Sequence, residues 1–181
     1  FGVTLVDKGL VAKARDAGEG VSFAGRRGLA AQIEWVTRQP PDLGGVTELS
    51  DGDMERTRIR AGIPAIPDDI GPGDLPNEGG LESEAISYTK GCYLGQEVMA
   101  RLKSMGQVRR QLLRVTGHGR SPARRARLFQ GERPVGEIRT LAAEGEGYVG
   151  LALLTLMHLQ QDLPLSLAPD APPTIKLGTS A

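Results

Sequence analysis

The sequence predicts an α+β protein whose first part combines an antiparallel sheet with flanking helices and whose second part is all β. Three observations carry this. Glycine (25) and proline (12) make up about a fifth of the 181 residues, which suits loops and short strands better than a helical bundle. Helical spacing of apolar residues is confined to the chain before Gly106. After Gly106 the apolar period shifts towards two, with turn residues between short runs. A boundary near Gly106 follows, giving parts of residues 1–106 and 107–181.

Val3 to Val6 and Leu10 to Arg15 read as short strands. Asp16 to Gly20 is a turn, and Val21 to Ala24 a returning strand. From Gly28 the pattern becomes helical, with Leu29, Ile33 and Val36 at i, i+4 and i+7, ended by Pro40-Pro41. Asp42 to Thr47 is a loop. Ser50 caps a second helix, with Asp53 as its capping-box partner and Met54 and Ile59 on the apolar face. Four prolines and four glycines make Ile63 to Glu84 irregular, and so long an irregular stretch beside the segment that follows points to function. Leu94, Val98, Leu102 and Met105 predict a helix from about Gly95 to Lys103, ended by Gly106. Strands are expected at Gln107–Thr116, Ala126–Gln130, Val135–Leu141, Gly147–Leu154 and Thr174–Leu177, with turns at Gly117–Ala123 and Gly131–Pro134. Several short strands at this spacing predict a small antiparallel barrel or sandwich.

Hydrophobic residues are 39% and charged residues 24% of the chain, an ordinary water-facing composition. No apolar run approaches the roughly 18 residues of a membrane span. The longest, Tyr148 to Met157, contains Gly150 and Thr155 and reads as a buried strand. No signal peptide is visible, and one cysteine forms no internal disulfide, so the cytoplasm is the expected compartment. The net charge of zero hides an uneven spread. Residues 98–131 hold nine basic side chains and no acidic one.

The chemistry concentrates around the single cysteine, in Lys90-Gly91-Cys92-Tyr93-Leu94-Gly95-Gln96-Glu97. A helix beginning just after Cys92 would set its thiol near unpaired N–H groups and the positive end of the macrodipole. Lys90 adds a positive charge two residues away. Both favour the thiolate, the reactive form. Glu97 and Arg101 stand one turn apart and can pair, and Gln96 offers a donor and an acceptor. The competing reading is a cysteine used as a small buried apolar residue.

Other signals are weaker. His118 and His158 lack ligand partners at metal spacing and read as structural. Asp51-Gly52-Asp53 starts like a calcium loop, lacks the remainder, and reads as a helix cap. Walker, dinucleotide and nucleophile-elbow motifs are absent. The basic stretch 98–131 reads either as a solvated strand face or as an anion-steering surface for RNA, a polyglutamate tail or an acidic partner. Phe129 is its only aromatic residue, which leaves base stacking little support.

Lys90 to Glu97, continued by Val98-Met99-Ala100-Arg101, resembles the signature of the YgfZ family of folate-binding proteins, relatives of the glycine-cleavage T-protein, an aminomethyltransferase. Arg58-Ile59-Arg60-Ala61-Gly62-Ile63-Pro64, Leu75-Pro76-Asn77-Glu78 and Gly106-Gln107-Val108 extend the likeness, which covers roughly residues 1–155. The resemblance implies a three-lobed α+β fold around a folate pocket, with residues 1–106 as the folate-binding central domain and 107–181 as a C-terminal β-barrel. The signature begins early in this chain, so a missing N-terminal domain is expected. The resemblance further implies tetrahydrofolate as cofactor, support of iron–sulfur client proteins in cluster assembly or repair, and a link to tRNA modification. Cys92 and Lys90 are then the expected reactive pair. Arg58, Arg60, Glu78, Tyr93, Gln96, Glu97 and Arg101 are the expected folate-side residues, and no metal ligand is expected. Arg60 departs from the glutamate that pairs with the pterin N–H edge in T-proteins, since arginine accepts no hydrogen bond. The alternatives are a folate-dependent aminomethyl or one-carbon transferase, and an RNA- or protein-binding adaptor using residues 98–131.

Overall fold

Three short strands open the structure: β1 (Gly2–Leu5), β2 (Val21–Gly25) and β3 (Gln32–Val36). The computed structural model describes residues 2–5, 20–25, 28, 32–38, 45, 47–106 and 108–178. The strand expected at 10–15, the turn at 16–19 and the prolines at 40–41 lie outside them. β3 runs between the other two strands, antiparallel to both. This corrects the helix expected from Gly28. Ile33 pairs with Leu5 on one side and Ala24 on the other, and β-branched Ile33 and Val36 with aromatic Trp35 suit a pleated surface. Three apolar positions do not separate the helical period from a strand once partners stand on both sides. Burial follows the partners too: Gln32 and Glu34 are buried while Val36 is exposed.

The expected second helix is α1 (Asp51–Arg60). Ser50 Oγ accepts from the Asp53 N–H at 3.2 Å, and the Asp53 carboxylate accepts from the Ser50 N–H at 3.2 Å. This reciprocal cap satisfies two of the donors that a helix start leaves unpaired. The stretch from Ile63 to Glu84 is irregular but ordered: it holds a 3-10 turn (Pro76–Gly79) and the one-turn helix α2 (Glu82–Ala85), and it buries Asp69, Ile70, Asn77 and Glu78. Helix α3 (Gln96–Met105) ends at Gly106, whose φ of 70° is the left-handed conformation that glycine adopts without a Cβ clash.

The second sheet has the order β5-β6-β7-β4-β8, built from β4 (Arg110–His118), β5 (Arg127–Gln130), β6 (Arg133–Glu144), β7 (Gly147–Thr155) and β8 (Ile175–Leu177). Gly117 and His118, expected in a turn, continue β4, because they pair with Tyr148 and Gly147. The sheet is antiparallel and curled, and a short segment reaches both of its edges: Ser166 bridges Phe129 of β5, and Leu165 bridges Ile175 of β8.

Strand β7 explains the core. It is buried along nearly its whole length, and alternate residues face opposite sides of a sheet. Tyr148, Ala152 and Leu154 join Val115, Leu128, Ile138, Leu165 and Ile175 on the inner side of the curl. Val149 and Leu151 point the other way and meet Ile59 of α1. Ile59 is fully buried, a contribution of roughly 1.5–3 kcal/mol. Helix α1 therefore seals the outer face of the sheet. Among the described residues, no helix is long and apolar enough to cross a membrane.

Candidate functional site

The cysteine segment is a loop leading into α3. Gly95, at φ 88°, forms the N-cap, so the helix starts at Gln96. Cys92 thus lies three residues before the cap instead of at the helix start, and the direct dipole effect expected on its thiol is lost. The thiol is exposed and free, which removes the buried-filler reading. Lys90 turns towards the neighbouring ring, with Nζ 4.5 Å from the Tyr93 centroid, a cation–π contact. Glu97 accepts from Arg101 Nη2 at 2.7 Å, and both side chains are largely exposed. Leu94 is completely exposed and Val98 about half exposed. Lys90, Tyr93, Gln96, Glu97 and Arg101 therefore share one outlying loop and helix start with Cys92.

Arg58, Arg60 and Glu78 sit elsewhere, in ion pairs that hold α1 and the irregular stretch to the second sheet. Arg58 donates to Glu55, to Asp69 Oδ2 at 2.6 Å and to Thr140 Oγ1 at 3.2 Å. Burial alone would lower the pKa of its guanidinium, but Glu55 and Asp69 outweigh this and hold it above the ordinary value. Fully buried Asp69 also accepts from the Ala65 N–H and from Thr140 Oγ1. Exposed Arg60 pairs with Glu144 at 2.8 Å. Glu78 accepts from Arg110 through both oxygens at 2.8 Å and from the Leu75 N–H at 2.9 Å. Asp74 takes Arg139 and Arg110 together. Burial pushes its carboxyl up, but the Gly71 N–H and the two guanidinium groups win and hold it below the usual carboxylate range. A carboxylate already saturated in this way has little left to offer a ligand.

The structure brings forward four residues that the sequence reading left out of the folate site, with Lys103 and Arg109 counted only within the basic stretch 98–131. Asn77 is about nine-tenths buried, and its Oδ1 has no hydrogen-bond partner. Its side chain contacts the Tyr88 hydroxyl. Tyr88 donates to Glu82 at 2.7 Å, and that carboxylate first, with desolvation second, raises the phenol above its ordinary value. Lys103 Nζ stands 4.1 Å from the Tyr88 ring centroid. Beside them, the Tyr93 hydroxyl oxygen is also buried and unpartnered. Buried polar atoms without partners are uncommon, and each calls for a physical account. The quoted tetrapeptide Leu75-Pro76-Asn77-Glu78 carried a signal for Asn77; only tertiary contact joins it to Tyr88.

The fourth residue is Arg109. It lines a groove of about 430 Å³ with Leu75, Glu78, Leu102, Arg110 and Thr155. A smaller depression, of about 300 Å³, lies by α1 against Asp51, Met54, Glu55, Arg58 and Ile63. Cys92 lines neither.

The basic stretch 98–131 is partly spent within the fold. Arg101, Arg110, Arg124 and Arg125 pair with Glu97, Glu78, Asp68 and Glu137. That leaves less free positive charge for a polyanion than the sequence alone suggests. Among the described residues, no group of three or more His, Cys, Asp or Glu could hold a metal ion. Asp53 serves as the helix cap, while His118 and His158 are exposed.

No family model matches the chain. Individual proteins do. The chain is 39% identical over 151 residues to the mitochondrial iron-sulfur cluster assembly factor IBA57 of Mus musculus, covering 75% of this chain and 40% of that protein. It is 33% identical over 159 residues to the tRNA-modifying protein YgfZ of Serratia proteamaculans, covering 83% of this chain and 48% of that protein. The human IBA57 protein is 37% identical over 110 residues. The chain thus spans less than half the length of these curated relatives. The matches agree with the cysteine signature and its upstream companions, and the chain belongs to the GcvT-like family of folate-binding proteins that includes IBA57 and YgfZ.

Proposed function

We propose that this protein binds tetrahydrofolate and supports the assembly or repair of iron–sulfur clusters, with Cys92 as the residue that contacts the cluster or its protein client. The observation that carries this reading is the exposure of the only cysteine, inside the signature segment and free of any bond within the fold. One thiolate cannot hold a stable cluster, because such sites usually take four protein ligands. Cys92 therefore acts jointly with a client or a further lobe. Lys90 supplies positive charge near the thiol, and Gln96, Glu97 and Arg101 shape the surface that the client meets. The names of the mouse and Serratia relatives support a role in cluster assembly or in tRNA modification. The partial neutralisation of residues 98–131 favours the first over direct RNA binding.

The fit to folate rests on a different set from the one first expected. Arg58 and Glu78 are committed to ion pairs, and Arg60 to Glu144. The unpartnered Asn77 Oδ1, with Tyr88 and Tyr93, suits a ring that presents N–H donors and a flat face. Tetrahydrofolate would supply one-carbon chemistry when bound; these residues would orient its ring. The proposal keeps the second sheet, from residue 107 onward, as the family's small β-barrel domain, joined to residues 51–79 by ion pairs. The cytoplasm or the mitochondrial matrix would suit this function equally.

The test is Cys92→Ser in cells that lack the wild-type gene, with [4Fe–4S] enzyme activity as readout. Loss of that activity with unchanged protein abundance is expected. Full activity in the mutant would sink the proposal.

A further inference from the structure

We infer that Tyr93 is a positioning residue for Cys92. Its ring holds the Lys90 ammonium out of contact with the thiol, so the exposed cysteine stays unactivated until that contact is released. The inference rests on the reading of Cys92 and Lys90 as a reactive pair; it adds what keeps the pair apart.

Four sources of positive charge stand close to Cys92 in the chain, and each is engaged elsewhere. Lys90 Nζ lies 4.5 Å from the Tyr93 ring centroid. Arg101 donates to Glu97 at 2.7 Å. Lys103 Nζ lies 4.1 Å from the Tyr88 ring centroid. The start of helix α3 is capped by Gly95, three residues beyond the thiol. Among the described residues, no hydrogen bond joins any of these groups to Cys92, which is free and exposed.

The Lys90–Tyr93 contact is the one set across the cysteine itself, since the two residues flank it two positions before and one after. Both partners are pinned. The Lys90 N–H donates to Ser87 Oγ at 3.2 Å. The Tyr93 carbonyl accepts from the Gln96 N–H at 3.2 Å, and the hydroxyl end of its ring is buried. A ring fixed at both ends does not follow the lysine, so the ammonium leaves the ring when it turns to a thiolate. Glu97, the acidic neighbour on α3, is taken by Arg101 and does not draw Lys90 away. A cation–π contact of a solvent-facing lysine corresponds to a population ratio of about two- to fivefold, and that ratio is the restraint on the pair. The thiolate is both the reactive and the oxidisable form of cysteine. A thiol this open to solvent is therefore protected while its lysine rests on the ring, and displacing the lysine supplies the counter-charge that favours the thiolate.

The test is the rate of iodoacetamide alkylation of Cys92, the single thiol, in the whole chain at pH 7. Tyr93→Leu should raise the rate about two- to fivefold, the cation–π ratio. Tyr93→Phe, which keeps the ring, should match wild type. Lys90→Met should match wild type as well, and combined with Tyr93→Leu it should restore the wild-type rate. At about pH 10, where an ordinary thiol is ionised, the gain from Tyr93→Leu should disappear, which a change of access alone would not produce. Circular dichroism checks folding. Lys90 is exposed, so Lys90→Met remains readable if Tyr93→Leu does not fold. An unchanged rate in folded Tyr93→Leu overturns the inference, as does a gain that survives Lys90→Met or pH 10. A Lys90→Met rate below half of wild type also overturns it, because the lysine would then act on the thiol at rest. Loss of [4Fe–4S] enzyme activity in Cys92→Ser without the alkylation pattern keeps the functional reading and removes the restraint. The alkylation pattern with full activity of Cys92→Ser keeps the restraint and removes the functional reading.

Discussion

Replacing Asp69 by Ala tests the claim that Arg58 is a structural residue. Asp69 is fully buried and accepts three hydrogen bonds: from Arg58 Nη1 at 2.6 Å, from the Ala65 N–H at 2.8 Å and from Thr140 Oγ1 at 2.7 Å. The first is charge-assisted, worth about 1.5–3 kcal/mol net, and the other two about 1 kcal/mol each. Truncation also leaves the Arg58 guanidinium, whose side chain is only 14% exposed, with Glu55 as its remaining carboxylate. Removing one partner of a buried pair typically costs about 3–5 kcal/mol, consistent with the sum of the three bonds. The expected loss is therefore about 4 kcal/mol, or a fall of roughly 10 °C in Tm for a chain of this size. Urea denaturation of the whole chain, followed by circular dichroism, measures it, provided the m-value is unchanged. Asp69→Asn keeps the shape and loses the charge, and should fall between the two. A loss below 1 kcal/mol for Asp69→Ala would refute the reasoning and return Arg58 to the list of groups free to meet a ligand.

Two further predictions follow from the same network and its neighbours. The Asp74 carboxyl is held below its ordinary pKa in the folded state, so its stabilising contribution is complete above the unfolded value near 4 and fades as pH falls through the lower folded value. Asp74→Asn should therefore lower stability at neutral pH and flatten the acid limb of the stability curve below about pH 4, which thermal melts across pH 2–7 would show; an unchanged acid limb would contradict the assignment. Tyr93→Phe removes a buried hydroxyl oxygen that has no partner, so the fold should keep or gain up to about 1 kcal/mol, while tetrahydrofolate affinity falls; a destabilisation beyond 1 kcal/mol would mean that the hydroxyl is satisfied in the native state.

The sequence by itself determined the local structures whose causes are local. The Ser50–Asp53 cap, the stop at Gly106 and the strand from Gly147 each depend on residues within a few positions, and each forms where the pattern put it. The signature around Cys92 likewise identified the family, because a motif of contiguous residues needs no tertiary context. Tertiary structure decided the rest. Ile33 and Val36 fit either a helix or a strand, and pairing with β1 and β2 made them a strand. Arg58, Arg60 and Glu78 looked like ligand groups until Asp69, Glu144 and Arg110 arrived from 11, 84 and 32 residues away and took up their charge. Conversely, Asn77, Tyr88 and Lys103 gained their interest only by meeting one another across loops. A side chain's chemistry is written in the sequence; whether that chemistry remains free depends on which partners the fold places within about 3 Å.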